Sequence, residues 1–357
     1  MQYIAQGMKR DAALTISGVS KHQYYHRKNS KVKTQVGRPE STFTMNKEGL
    51  PIPNQTVVEE IKKAKACQDT DYGYRNMTYH LMLLGYIINK KKVYRLMKQG
   101  RLLRKKVKST DKKYIKYRVV APRGPLQVFG MDIKMVWVAE HRRHAYILNI
   151  IDTFTRAVLY WSVGYQMRQQ QIKQAWEFII VRFLQQADCL QKQWHIEVRN
   201  DNGPQFIAKL IRDFFVENHI NQVFTHPYTP QENGHVESFH AILKNALGQQ
   251  PFWSLQELEK RLEVFYYNYN HNRIHGSIAH LPPKLFWACW EEKLIERTVM
   301  DKLKVKFRLK MPYQNISGNE SLREVLCSIE QTLDGFGQLD EMKEVNGANT
   351  PNLQPSV

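Results

Sequence analysis

With 357 residues and a mass of 42.2 kDa, the chain is too long for one typical core and implies two to three domains. Its 53 Lys and Arg against 33 Asp and Glu give a formal charge of +20, which favours a polyanionic partner, nucleic acid first. No apolar run approaches the roughly 20 residues that span a bilayer, and the start lacks a signal-like apolar stretch, so the reading excludes a membrane partner and expects a cytoplasmic, nucleoid-associated protein.

The charge is uneven. Residues 311–357 hold seven acids and two bases, net −5, which leaves +25 on residues 1–310. The basic part is where binding is expected. Cys67, Cys189, Cys289 and Cys327 lie far apart with neither C-x-x-C nor zinc-finger spacing, so they read as reduced and structural.

Residues 1–36 open on "MKRDAALTISGVSKHQYYHRK", which predicts a short helix, a turn at Gly18 and a second helix capped by Ser20. This is helix-turn-helix grammar, with Lys21 and Arg27 as candidate DNA contacts; a small helical hairpin packing on another domain explains the same pattern. A polar linker is expected over 37–54, with Gly37, Pro39, Pro51 and Pro53.

Over 55–103 a second helix-turn-helix is predicted, one helix ending before Gly85 and the next capped by Asn89. That last helix presents Lys90, Lys91, Lys92, Arg95 and Lys98, and Arg75 lies on the helix before it. So many cations on one element suit a groove reader better than a merely solvated basic face. A basic linker follows at 104–124, where "RKKVKSTDKKYIKYR" has eight bases and one acid, a tether for a phosphate backbone.

From residue 125 the pattern turns to strands. "LQVFGMDIKMVWV" alternates Met131, Ile133, Met135 and Trp137 against Gly130, Asp132, Lys134 and Val136. A hairpin turning at Asp152 and Thr153, a helix over 168–187, the strand "WHIEVRN", a helix over 206–219, the strand "QVFTH" and a helix after Gly234 complete an α/β, mixed sheet flanked by helices. Such sheets place their sites at the carboxyl ends of strands, and Asp201 sits just beyond one. Residues 291–357 read as a C-terminal extension with an acidic, partly disordered tail.

Three acids stand out. Asp132 interrupts a strand with an apolar opposite face, Asp201 lies in the turn-forming "RNDNGP", and Glu237 opens a helix, where the macrodipole favours an acid anyway. Each has an ordinary structural explanation alone; together they can converge at one sheet edge. Three such carboxylates would repel one another unless two divalent cations about 3.5 to 4 Å apart sat between them. Oxygen-only ligation points to Mg²⁺, with Mn²⁺ as a substitute, and to in-line phosphoryl transfer. Lys244, seven residues after Glu237 and so on the same helix face, would reach the phosphate backbone, and the Pro/Gly loop before the helix reads as a mobile lid. Asp152 reads as a turn residue and Glu197 as an alternating strand charge, neither a metal ligand. Arg273 and His275 in "HNRIH" read more readily as an anchor for the end of the core than as DNA contacts.

Asp132, Asp201 and Glu237, with 35 residues between the last two, resemble the acidic triad of retroviral-type integrases and insertion-sequence transposases. "NDNGPQF", "TPQENGHVESFH" and "FYYNYNHNRIHGSIAHLPPKLFW" resemble blocks of that core, and "YGYRNMTYHLMLLGYIINKKKVYRLMKQ" the helix-turn-helix before it. The resemblance implies a ribonuclease-H-like integrase core over 125–290, Lys244 at the basic position the group carries, and two metal ions per active site. His240 and Asn202, flanking the acids, join the expected DNA contacts. Further implications are nicking of element ends followed by 3′-hydroxyl strand transfer on double-stranded DNA, a homo-oligomer of at least two copies, and an upstream-frame product as further partner. Lys134 departs from the small hydroxyl residue often found there. Alternatives are a transposase-derived DNA-binding regulator without catalysis and a ribonuclease-H-like nuclease that cuts without joining.

Overall fold

The computed structural model describes residues 2–28, 40–70, 72–104, 122–189, 191–192, 194–225, 234–248, 250–300 and 305–333. Most of the basic run, the expected lid loop and the end of the acidic tail lie outside the described residues.

Two units are distinguished, Met1–Phe43 and Thr44–Val357. In the first, α1 (Gln2–Ala5) precedes α2 (Arg10–Ser17) and α3 (Lys21–Lys28). Gly18 ends α2 at φ 65°, a left-handed conformation that glycine adopts without the strain of a Cβ. Ser20 Oγ accepts the Gln23 N–H at 3.2 Å while Gln23 Oε1 accepts the Ser20 N–H at 3.1 Å, so the expected cap is a reciprocal box.

The second unit begins with a correction. Residues 43–53, read as part of a linker, contain β1 (Phe43–Asn46) and β2 (Pro51–Pro53), joined in one small sheet with β3 (Tyr86–Ile87). Asn46 makes this turn: its Oδ1 accepts the N–H groups of Glu48 and Leu50 at 3.1 and 2.8 Å. Around this sheet α4 (Asn54–Ala66), α5 (Tyr74–Leu83) and α6 (Lys90–Gln99) bury Val57, Ile61, Met77, Leu81, Val93 and Met97. Asn89 caps α6 as expected, accepting the Lys92 N–H at 2.9 Å. Asn89→Ala is expected to cost about 1 kcal/mol of stability, read from urea unfolding.

The main sheet has β4 (Val128–Val138), β5 (Arg143–Asp152), β6 (Val158–Gly164), β7 (Ile196–Asn200) and β8 (Ile220–Phe224) in the order β6-β5-β4-β7-β8. β4, β5 and β6 pair antiparallel, while β4–β7 and β7–β8 are parallel. The helices are α7 (Gln169–Ile179), α8 (Pro204–Ile207), α9 (Lys209–Glu217), α10 (Gly234–Leu247), α11 (Leu255–His271) and α12 (Pro283–Glu291). The expected 168–187 helix ends its α-helical part at Ile179 and continues as a π-turn over Ile180–Leu184. The 206–219 helix is broken at Ala208, whose ψ of 139° is extended.

Both faces of the sheet are covered. Phe129 and Met131 meet Trp176 of α7 and Phe215 of α9 in one core, with Trp176 Nε1 3.2 Å from Met131 Sδ. On the other face Val138, Ile147 and Ile151 meet Phe239 and Leu243 of α10 and Leu262 and Phe265 of α11. Beyond residue 291, β9 (Ile295–Val299) and β10 (Val305–Leu309) pair antiparallel, and α13 (Glu320–Leu333) buries Leu322, Ile329 and Leu333 in the first of these cores. The described part of the extension is thus built into the fold.

Candidate active site

Register brings the first two acids together. The last parallel pair between β4 and β7 is Gly130↔Arg199, so two further residues on each chain lead to Asp132 and Asp201 at the same step beyond the shared ladder. There β7 has ended and its chain turns: Asp201 Oδ1 accepts the Gly203 N–H at 3.0 Å, and a Cβ on Gly203 would stand 2.5 Å from Gln205 Nε2. Glu237 comes from the first turn of α10, which lies over β4 through Phe239 and Leu243.

Burial raises the Asp132 carboxyl from 3.8 to about 7, and the charges of Asp201 and Glu237 push it the same way, against the Ile133 N–H and the Lys134 ammonium. Asp132 Oδ1 accepts the Ile133 N–H at 2.7 Å. Among the described residues no three His, Cys, Asp or Glu side chains already stand close enough together to hold a metal ion. The donor set nevertheless fits a hard divalent cation, being all oxygen and carboxylate.

Lys134, on the same strand face as Asp132, opposes the rise of that carboxyl and thereby trims the local negative charge. Lys134 and Lys244 line one groove with Met135, Trp137, Leu247 and Phe252. Met135 and Trp137, expected on an apolar face, are 57 and 43% exposed because β4 outruns the helices beneath it. Asn202 is exposed and its Nδ2 donates to Thr225 O at 3.2 Å.

His240 corrects an expectation. Read as a DNA contact, it instead turns inward, its side chain 12% exposed, with Nδ1 3.4 Å from Asp132 Oδ2 and Nε2 3.3 Å from Asn149 Nδ2. Burial, then the charge of Lys134, lowers its pKa to about 4. Asn149 in turn accepts the Tyr266 hydroxyl. The signal available in sequence was the lone amide within the apolar run "YILNIID", since a buried polar group needs a partner.

Of the remaining candidates, Lys90, Lys91 and Lys98 are exposed on α6, and Lys92 and Arg95 are half-buried there. Arg75 is exposed on α5, and Tyr94 is 43% exposed beside Tyr74. In the first unit, Lys21 is exposed and pairs with Asp11 at 3.1 Å, while Arg27 lies on α3. Asp152 is the turn residue expected: its carboxylate accepts the N–H groups of Leu126 and Thr155 and the Thr155 hydroxyl. Glu197, read as an alternating strand charge, is buried with every other residue of β7 and pairs with Arg199. The "HNRIH" stretch is an anchor: Arg273 donates to the Asp69 carbonyl, Tyr72 Oη accepts the Ile274 N–H at 3.0 Å, and His275 is half-buried.

Such a mixed sheet, with helices on both faces, has the architecture of an integrase-type core. Comparison with known families agrees: the integrase core domain matches residues 122–230, a second integrase core domain family residues 218–283, and an HTH-like domain residues 53–109. Within that class its relatives include transposases of insertion sequences.

It is 28% identical over 219 residues to an uncharacterized 39.2 kDa protein of insertion element IS476 from Xanthomonas euvesicatoria, covering 61% of this chain and 60% of that protein. It is 25% identical to the putative transposase InsK of IS150 from Escherichia coli K12, over 69% of this chain and 88% of the relative. With the transposase of IS904 from Lactococcus lactis the identity is 23%, over 66 and 94%. Among solved structures, a chain of the simian T-cell lymphotropic virus intasome in complex with PP2A regulatory subunit B56 gamma aligns with a TM-score of 0.39 and 16% identity, over 63% of this chain and 73% of that one. No helix among the described residues is long and apolar enough to cross a membrane.

Proposed function

We propose that the chain is a DNA transposase that nicks the ends of an insertion sequence and joins the freed 3′-hydroxyl to a second phosphodiester, with Asp132, Asp201 and Glu237 as its catalytic acids. The observation that carries this reading is the β4–β7 register, which ends two residues before both Asp132 and Asp201, with Glu237 in the first turn of the helix packed over β4. The three carboxylates would hold two Mg²⁺ ions, or Mn²⁺ in their place. Bound there, such ions supply activation of a water or hydroxyl oxygen and stabilisation of the leaving oxygen in an in-line displacement. Lys244 and Lys134 line the groove beside the acids, where they neutralise substrate phosphates, and the basic face of α6 grips duplex DNA away from the chemistry.

Because two DNA ends must meet, the working form is a homo-oligomer on double-stranded DNA in the bacterial cytoplasm. The upstream-frame product expected from the resemblance finds no support among the relatives and is left out. The test is strand transfer on element-end DNA in Mg²⁺: Asp201→Asn and Glu237→Gln are expected to abolish joining while DNA binding persists. Retained joining by either variant overturns the triad, cut products that are never joined favour a nuclease, and specific binding by the natural chain without cutting in Mn²⁺ favours a regulator. Replacing the exposed Lys91 and Lys98 together by Ala is expected to flatten the salt dependence of DNA affinity by about two units of slope, measured by titration at several salt concentrations.

A further inference from the structure

We infer that His240 is a positioning residue: its Nδ1 proton fixes the plane of the Asp132 carboxylate, and Asn149 with Tyr266 behind it dictates which ring nitrogen carries that proton. The inference rests on the reading of Asp132 as a catalytic acid. It begins in strand pairing, because Asn149 stands directly opposite Asp132 across the β4–β5 ladder. The orientation of its amide is determined: Nδ2 lies 3.2 Å from the Ile147 carbonyl, where only a donor is tolerated, and Oδ1 takes the Tyr266 hydroxyl. The same Nδ2 faces His240 Nε2 at 3.3 Å, so Nε2 must accept. A ring protonated on both nitrogens would set two donors against each other there. The proton of the neutral ring therefore sits on Nδ1, which lies 3.4 Å from Asp132 Oδ2.

The consequence concerns rotation. A carboxylate turns freely about its last torsion, whose energy profile is broad. Here Oδ1 accepts the Ile133 N–H at 2.7 Å, and His240 Nδ1 stands 3.4 Å from Oδ2, near enough for the ring to limit rotation of the carboxylate plane. His240 also lies one turn after Glu237 on α10, so the helix that carries one acid orients another. Groups standing behind metal-ligating side chains typically contribute 10- to 100-fold in metal affinity or activity.

The full chain is used to test this, with strand transfer and calorimetric Mn²⁺ binding as separate readouts. His240→Leu, which fills similar space without a donor, is expected to lower the turnover of strand transfer and weaken Mn²⁺ binding, each by roughly 10- to 100-fold, with DNA affinity unchanged. His240→Asn, whose amide reaches the Nδ1 position, is expected to recover most of both. Should His240→Leu melt early, the comparison passes to His240→Asn and His240→Gln at matched melting temperature, because Gln reaches the Nε2 position and fails to rescue. Wild-type Mn²⁺ binding and turnover in His240→Leu, or equal rescue by Gln and Asn, overturns the inference. Asp132→Asn run alongside separates the two layers: if that variant still joins DNA, the catalytic reading has failed, whatever His240 does.

Discussion

Asp132→Asn is expected to reduce strand transfer by about three orders of magnitude or more and, at the same time, to raise the melting temperature of the metal-free protein. The two effects share a cause. The Asp132 carboxyl, ordinarily at 3.8, titrates at about 7 in the folded chain, mainly through burial and then through the charges of Asp201 and Glu237. The folded state therefore binds this proton more tightly than the unfolded chain does. Below about pH 4 both states are protonated and nothing is lost; as pH rises to about 7 and beyond, the native state must ionise a buried acid and loses stability on the order of a few kcal/mol. Asparagine has no charge to bury, so the advantage of the variant should appear across that window and vanish in acid. Mg²⁺ should stabilise the natural protein above pH 7 and leave the variant unmoved, because a ligand stabilises only the state that binds it. Thermal melts at pH 4 and pH 8, with and without Mg²⁺, measure all of this; a variant that melts lower at pH 8, or that still joins DNA, contradicts it.

Asp69→Ala is expected to destabilise the second unit by about 3 to 5 kcal/mol, because it leaves a partly buried cation without its partner. Asp69 is 3% exposed, in the short turn between α4 and α5. Its carboxylate accepts Arg261 Nη2 at 2.6 Å and Asn268 Nδ2 at 3.0 Å, both from α11, and its carbonyl accepts Arg273. Arg261 also donates to the Ala246 carbonyl at 2.9 Å, near the end of α10. One side chain thus ties the HTH-like domain to α11 and, through Arg261, to the helix that carries Glu237. Alanine removes the carboxylate and strands a guanidinium and an amide; Asp69→Asn keeps one acceptor and should cost less. Urea unfolding checks the magnitude, and a loss below about 1 kcal/mol would show that water or neighbours replace the carboxylate.

What could be read before the structure was what local chemistry determines. Alternation along "LQVFGMDIKMVWV" put Asp132 opposite Met131 and Ile133, Asp152 announced its turn, and Asn89 announced the start of α6. The remaining features depend on which elements meet. Whether His240 faces DNA or Asp132 is decided by the rotation of α10 against β4, which a helix-terminal sequence does not specify. Glu197 reads only as an alternating strand charge, because alternation alone cannot reveal that β7 is covered on both faces and that Arg199 lies one pleat away on the same side. The hairpin over residues 43–53 was hidden by its prolines, which suit an edge strand as well as a linker, and the docking of α13 depends on an apolar face whose complement lies far away in the chain. Expected DNA contacts on α6 were read from charge, and charge stays at the surface, so Lys90, Lys91 and Lys98 stand where the sequence put them.

The most direct measurement is anomalous diffraction from crystals of the DNA-bound protein grown in Mn²⁺. The account predicts peaks about 2.1 Å from carboxylate oxygens of Asp132, Asp201 and Glu237. Manganese bound elsewhere at saturating concentration, with these three side chains apart, would contradict it.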